Sequence, residues 1–341
     1  MNTKKVFLGM AVAMLMIMAA CANQSKQESV GEGLWRVSVD NKWGFVDKQG
    51  KVVIPPQFED VGVFDEDMAS VEIDGKWGYI DKQGNVVINP QFDFAISFSE
   101  GLAMVKIGDF LNGKCGYINK EGEFVINPQF GYAEPFEDGL AMVRIGGYGN
   151  EKYGYIDNQG KFIINPRYDG AQCFSEGLAS VEIDGEWGYV DKKGEIVINP
   201  QFGFAEPFSE GLAVVEIGGK YGYIDSQGKI VINPQYDGAG SFSEGLAWVR
   251  LGDYTNGKCG FVDKKGEFVI APQFDETKPF YEGLAKVRIG CKWGYIDKQG
   301  TFVINPQYEQ ANSFSNGLAE VRIEGKFGLI DKRGKVVYKE P

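Results

Sequence analysis

The chain has 341 residues, with 35 Lys and Arg against 47 Asp and Glu, no histidine, and a formal net charge of −12. That balance argues against a nucleic-acid partner, whose binding rests on neutralising phosphates with cations, and against a broad basic face lying on anionic lipid. The missing histidine removes the commonest general base and metal ligand, and any Ser-His or Cys-His arrangement with it.

Residues 1–20 read as a signal peptide, to be set aside before fold reasoning. Lys4 and Lys5 form a positive start, Val6 to Met18 is almost wholly apolar, and Ala19-Ala20-Cys21 follows. The apolar run falls short of the ~20 residues a spanning helix needs. The pattern resembles the signal of bacterial lipoproteins, with Met18 standing where Leu is usual. That resemblance implies a lipid on Cys21 and a lipid-anchored place in the bacterial cell envelope, periplasmic or surface-facing. Residues 21–32 then read as the lipidated Cys and a polar, flexible tether. Without Lys4 and Lys5 the chain carries 33 cations against 47 acids, a net of −14, which suits the solubility of an exported protein.

From residue 33 to 341 one unit recurs. Its marker is a Gly preceded by Trp or a substitute, at Trp43-Gly44, Trp77-Gly78, Cys115-Gly116, Tyr153-Gly154, Trp187-Gly188, Tyr221-Gly222, Cys259-Gly260, Trp293-Gly294 and Phe327-Gly328, in steps of 34 or 38 residues. A fixed period in this range means one supersecondary unit copied along the chain.

In the unit opening at Gly177, residues Ala179 to Ile183 alternate and predict a half-buried strand. Asp184-Gly185 predicts a type I′ hairpin turn. A second strand follows at Trp187–Val190, then an Asp191-Lys192-Lys193-Gly194 turn. The third strand, Ile196 to Ile198, is apolar on both faces and expected to be covered on both, with Asn199-Pro200 ending it. A connector with Phe202, Ala205 and Phe208 leads onward. The Gly after Trp suggests a bulge or a close backbone approach, and the Trp itself a core position. Units this small cannot hold a core alone, so neighbours must cover one another.

Lys-Trp-Gly-Tyr-Ile-Asp-Lys-Gln-Gly at Lys76–Gly84 and Lys292–Gly300, with Val-Ile-Asn-Pro and Phe-Ser-Glu-Gly-Leu-Ala elements, resembles the bacterial WG (KWG) repeat family. The resemblance covers nearly all of the mature chain. It implies a β-rich tandem array in exported or surface proteins, with no general activity and no catalytic residues to carry over. The expected fold is all-β, nine three-stranded meander units in an open superhelical stack, with a closed β-propeller as the alternative. Propellers typically have four to eight four-stranded blades, and no split unit is visible to close a ring.

The Asp-Lys-x-Gly acids (Asp47, Asp81, Asp157, Asp191, Asp225, Asp263, Asp297 and Asp331) recur at nearly every unit, and Asn119 replaces one. That is the behaviour of turn residues rather than of a calcium loop or a catalytic pair. Cys115 and Cys259 stand in the Trp position as small apolar substitutes, and with Cys173 and Cys291 they show no CxxC spacing. No metal, cofactor or enzymatic activity is expected.

The departures from the repeat are the informative residues. Three units carry longer hairpin tips, around Phe110, Tyr148 and Tyr254, and the same units place Met104, Met142 and Trp248 at a first-strand position expected to face outward. Either each tip folds back over its own apolar residue, or the six residues together form patches that grip a partner. A second column changes from Glu72, Glu182 and Glu216 to Arg250, Arg288 and Arg322. The expected function is a non-catalytic envelope lipoprotein presenting an extended surface to protein or glycan partners. A spacer whose length follows repeat number is the alternative, and a glycan-acting enzyme is a more distant one.

Overall fold

The computed structural model describes residues 33–109, 111–147 and 149–341. The expected signal, the tether and Cys21 lie outside the described residues, as do Phe110 and Tyr148. Among the described residues the strands form nine antiparallel sheets. The first holds β1 (Leu34–Val39), β2 (Lys42–Asp47) and β3 (Val52–Phe58). The second runs β4 (Asp60–Val61), β5 (Met68–Ile73), β6 (Lys76–Asp81) and β7 (Val86–Phe92) in spatial order. Later sheets repeat this plan, so eight of the nine are four-stranded. The extra strand is cut from the expected connector, where Asp60 and Val61 pair with Glu72 and Val71.

Local chemistry shapes each sheet. The β5–β6 hairpin turns on Asp74 and Gly75, with φ of 52° and 70°, the type I′ geometry. After β6, Asp81 Oδ1 accepts the N–H groups of Gln83 (2.9 Å) and Asn85 (2.8 Å). β7 does not stop at Asn89-Pro90 as expected. It runs on to Phe92 through shifts of register opposite Trp77, Tyr79 and Ile80, and Pro90 sits in the bulge, where no ladder N–H is demanded. The bulge lies directly on Gly78, whose absent Cβ would stand 2.4 Å from the Ile88 carbonyl oxygen. This close approach explains the Gly after each Trp.

Both faces of a sheet are covered by its neighbours. Ala69, Val71 and Ile80 pack on Phe45, Ile54 and Phe58 of the sheet before. Met68 and Tyr79 pack on Ala95, Phe98 and Val105 of the sheet after. Tyr79 Oη donates across that junction to the Ile96 carbonyl at 2.8 Å, and Tyr117, Tyr155, Tyr189, Tyr223 and Tyr295 repeat the bond. First strands are therefore buried on both faces. Third strands, expected to be covered on both, form the outer edge, with Val86 and Val87 44% and 48% exposed. The Trp residues of the repeat, expected in the core, are half-buried beside that edge.

The last sheet (Gln310–Ala311, Leu318–Ile323, Lys326–Asp331, Val336–Lys339) packs on the first. Trp35, Val37 and Val46 meet Leu318 and Leu329. Arg36 Nε donates to Glu320 Oε1 at 2.9 Å, and the rings of Trp43 and Phe327 lie 6.2 Å apart. The array is a closed nine-bladed β-propeller, and the expected open stack is corrected. An open stack would leave the apolar outer faces of the first and last blades in water, whereas closure buries each against the other. Among the described residues no strand is exchanged across this seam.

Candidate functional site

Because every blade has the same orientation, the first-to-second-strand hairpins share one rim of the ring and the Asp turns share the other. On the hairpin rim, an acid at the end of most third strands clasps two blades. Asp93 accepts from Lys76 Nζ at 2.7 Å and from the Gly108 N–H of the next hairpin at 2.7 Å. Asp237 does the same with Lys220 (2.6 Å) and Gly252 (2.8 Å). The ammonium and then the amide hold these carboxyls below the usual range. Gly131 and Gly203 break the pattern, and beside Gly203 the usual Lys is Glu186, so no acid faces an acid.

On the Asp-turn rim a second clasp recurs. Glu66 carboxylate oxygens accept the Gly101 N–H at 3.1 Å, and Lys120 Nζ stands 3.3 Å from one of them. Glu66 holds a φ of 50°, a left-handed conformation uncommon for Glu. The bond to the next blade sustains it.

The six tip and strand residues separate. Met104 and Met142 are buried, 5% and 3% exposed. Met104 packs with Tyr117, Ala133 and Phe136, and Met142 with Tyr155, Ala171 and Phe174. Their column faces the next blade rather than solvent, so they leave the candidate surface. The neighbouring blade covers them. Trp248 is half-buried over its own connector: a Cβ on Gly240 would lie 2.0 Å from the indole nitrogen. Other connectors carry Ile96, Glu134, Gln172, Glu206, Lys278 or Asn312 at the place of Gly240, and the blade 2 connector has Gly62 there, facing the small Ser70; at Gly240 the missing side chain makes room for the indole.

Tyr254 is 89% exposed and does not fold onto Trp248. Arg250 reaches it, with the guanidinium carbon 4.9 Å from the ring centroid, a cation–π arrangement. The tips are built to hold shape. Asp253 Oδ1 accepts from Thr255 and Asn256 N–H at 2.8 Å each, and Asp109 Oδ1 from Leu111 and Asn112 at 2.9 Å each. Leu111, 78% exposed on the blade 3 tip, is a candidate that the aromatic pattern of the tips does not single out. Its signal was an apolar residue in an otherwise polar turn. In the charged column, Arg288 pairs with Glu276 at 3.2 Å, so the basic end is partly neutralised within its own blade.

The Asp-turn acids point at backbone N–H groups of their own turns, as Asp47, Asp157 and Asp297 do. Among the described residues no cluster of three or more Cys, Asp or Glu could hold a metal ion. Cys115, Cys173 and Cys259 are buried cysteines and Cys291 an exposed one. One buried acid stands apart: Glu134, 4% exposed, is pushed up to about 7 by burial, against the opposing hydrogen bond that Tyr132 Oη donates to it.

A family model described as WG containing repeat matches residues 43–77, 77–109, 116–148, 153–187, 187–221, 221–254, 260–293 and 293–327. This chain belongs to the WG repeat family. In the WG-repeat ring each matched unit begins at the Trp position or the Gly after it, so it spans the outer half of one blade and the inner half of the next. Among curated proteins none matches the chain. Of solved structures, a crystal structure of the eukaryotic initiation factor is similar at 12% identity and a TM-score of 0.63, covering 91% of this chain and 96% of that one. Hsv2 of Kluyveromyces lactis matches at 11% identity and a TM-score of 0.40, over 69% of this chain and 87% of that one. The first likeness shows the fold alone.

Proposed function

We propose that the WG-repeat ring is the binding domain of a non-catalytic lipoprotein of the bacterial envelope, tethered through Cys21 and offering its hairpin rim to a protein or glycan partner. The observation that carries this reading is the exposure of Leu111 and Tyr254, 78% and 89%, on long tips of one rim. Large apolar groups lifted into water on braced turns are the signature of a recognition surface. Phe110 and Tyr148 belong to the same long tips by sequence. Closure of the ring favours binding over a spacer role, since the span of a ring is not lengthened along an axis by adding units.

The test is a paired measurement on Leu111→Ser and Tyr254→Ala. Both are expected to melt within about 0.5 kcal/mol of the parent, as exposed substitutions do, while binding to isolated envelope glycans or proteins falls about tenfold or more. Unchanged binding by both variants would remove the tips from the function. Turnover of an envelope glycan by the purified chain would replace the reading with an enzymatic one.

A further inference from the structure

We infer that the Asp-turn rim, at the seam where blades 9 and 1 meet, is a contact site for an anionic lipid surface. This deepens the anchored reading above and commits to the membrane that would hold the anchor. Gly33 opens blade 1 on this rim and lines an open groove of about 630 Å3 with Trp35, Lys48, Glu282, Asn316 and Lys332. Residues 21–32 separate Cys21 from Gly33, and a chain of that length spans at most about 40 Å. The seam therefore stays within that distance of any lipid carried on Cys21.

The charge pattern of the rim changes at this seam. In five blades the Lys of the Asp turn is paired with the turn acid of the blade before it: Lys120 with Glu66, Lys192 with Asp138, Lys264 with Glu210, Lys298 with Glu244 and Lys332 with Glu282; Lys82 meets Asp67 of its own blade. At the seam the corresponding turn residue is Asn316. Lys48 reaches the adjoining Gly317, where a Cβ would lie 3.3 Å from its Nζ; the Glu282 carboxylate that accepts the Gly317 N–H at 3.0 Å is paired with Lys332 at 2.9 Å and not with Lys48.

Two more features concentrate positive charge. The blade 1 turn rests on the last strand of blade 9, since a Cβ on Gly50 would lie 2.3 Å from the Val337 carbonyl oxygen. The two turns are also the most basic of the ring, with Lys51, Arg333 and Lys335 added to Lys48, whereas the blade 3 turn carries Glu121 and Glu123. All four cations are exposed, and none makes an ion pair among the described residues. The acids of the two turns, Asp47 and Asp331, accept from the N–H groups of their own turns.

One acyl chain gives only marginal attachment, and a polybasic patch beside it supplies the second signal that stable anchoring needs. Each cation at an anionic surface adds about fivefold in affinity. The acids of the far rim do not cancel this, because charges beyond ~10 Å are screened at ordinary salt. The patch draws its own rim to the headgroups and leaves the hairpin rim, with Leu111, Tyr254 and the exposed Cys291, turned away.

The experiment mixes purified full-length chain with vesicles of phosphatidylcholine, or of phosphatidylcholine with phosphatidylglycerol, and measures the bound fraction by sedimentation. Cys21→Ala expressed without residues 1–20 lacks both the acyl group and the apolar signal, so its preference for anionic over neutral vesicles reports the patch. Combined Lys48→Glu, Arg333→Glu and Lys335→Glu should abolish that preference, a loss of about tenfold or more, without altering the melt. The matched reversals Lys193→Glu and Lys265→Glu should leave the preference in place. A fluorophore on Cys291 should show little energy transfer to lipid-borne acceptors. Equal binding to both vesicle types, an equal effect of the control reversals, or strong transfer from Cys291 overturns the proposal. Equal capture of inorganic polyphosphate in place of vesicles overturns the choice of a lipid surface. Absence of an acyl group on Cys21 by mass spectrometry overturns the anchor while leaving the vesicle result to stand or fall by itself.

Discussion

Glu134 is the residue at which burial and ionisation compete most directly. Its folded value of about 7 lies above the ordinary 4.5, burial being the main cause. The folded ring thus holds a proton that the unfolded chain releases between those two values. The associated stability is fully present below about pH 4.5 and is lost as pH rises through about 7. A shift of this size corresponds to roughly 3 kcal/mol at most. Glu134→Gln keeps the shape and the Tyr132 partner but cannot ionise. Thermal melts from about pH 5 to about pH 8 should therefore fall in the parent and stay nearly level in the variant; parallel curves would show that the carboxyl is not proton-coupled. The turn acids make a related point about single residues. Glu100, Glu176 and Glu244 hold φ near 54°, and each carboxylate accepts the Gly N–H of the next blade. Asn316 occupies the same conformation at the seam, where Asn adopts it with little strain.

At the scale of the strand pair, the bulge and the glycine beneath it act together. A Cβ on Gly78 would stand 2.4 Å from the Ile88 carbonyl oxygen and 2.7 Å from the Pro90 nitrogen. Those are backbone atoms that cannot swing aside. The last blade lacks Asn-Pro, ending Val336-Val337-Tyr338-Lys339, and a Cβ on Gly328 would meet its closest atom at 3.3 Å. Gly78→Ala is therefore expected to cost about 3 kcal/mol or more, as forced overpacking does. Gly328→Ala should cost about 1 kcal/mol or less, with the gain in chain stiffness offsetting part of it. Urea titrations of both variants check this; equal losses would show that the bulge is not the reason for the glycine. The same geometry accounts for the exposed Val86 and Val87: the outer strand needs β-branched residues to hold its extended form, while no further layer covers it.

For the ring as a whole, covalent chain crosses each junction except the seam. Trp35, 1% exposed, is the largest side chain buried there, and its replacement by Ala should cost about 3–5 kcal/mol. Among the described residues the seam has no strand exchange to resist that loss, so Trp35→Ala should open the ring under mild denaturant and raise the maximum dimension seen by small-angle scattering. Phe98→Ala, at a junction the chain crosses, should lower stability by a similar amount without that expansion. An expansion in both variants, or in neither, would show that the seam is no weaker than the other junctions. Such stability, built junction by junction, is what a stack of mutually dependent units implies.

Much of the element-level structure was legible in the residues. Asp184-Gly185 announced a type I′ turn and shows φ of 52° and 84°; Asp191 announced an Asp turn and accepts from Lys193 and Glu195; the Gly after Trp announced a close approach. These are short-range matters, settled by side chains within a few residues of the backbone they bond. The fourth strand was not legible, because two residues such as Asp60 and Val61 become a strand only when β5 lies beside them. Burial was misread for the same reason: Met104, Val86 and their columns alternate identically whether the covering layer lies on one face or on the next blade. Ring or rod was likewise decided by tertiary structure, through Trp35, Val37, Leu318 and Leu329 meeting across nearly the whole length of the chain. The sequence by itself determined the unit and its turns, since their energies are local. Only the packed ring decided which faces are solvent, because the angle between neighbouring blades, summed around the array, brings the first blade against the last.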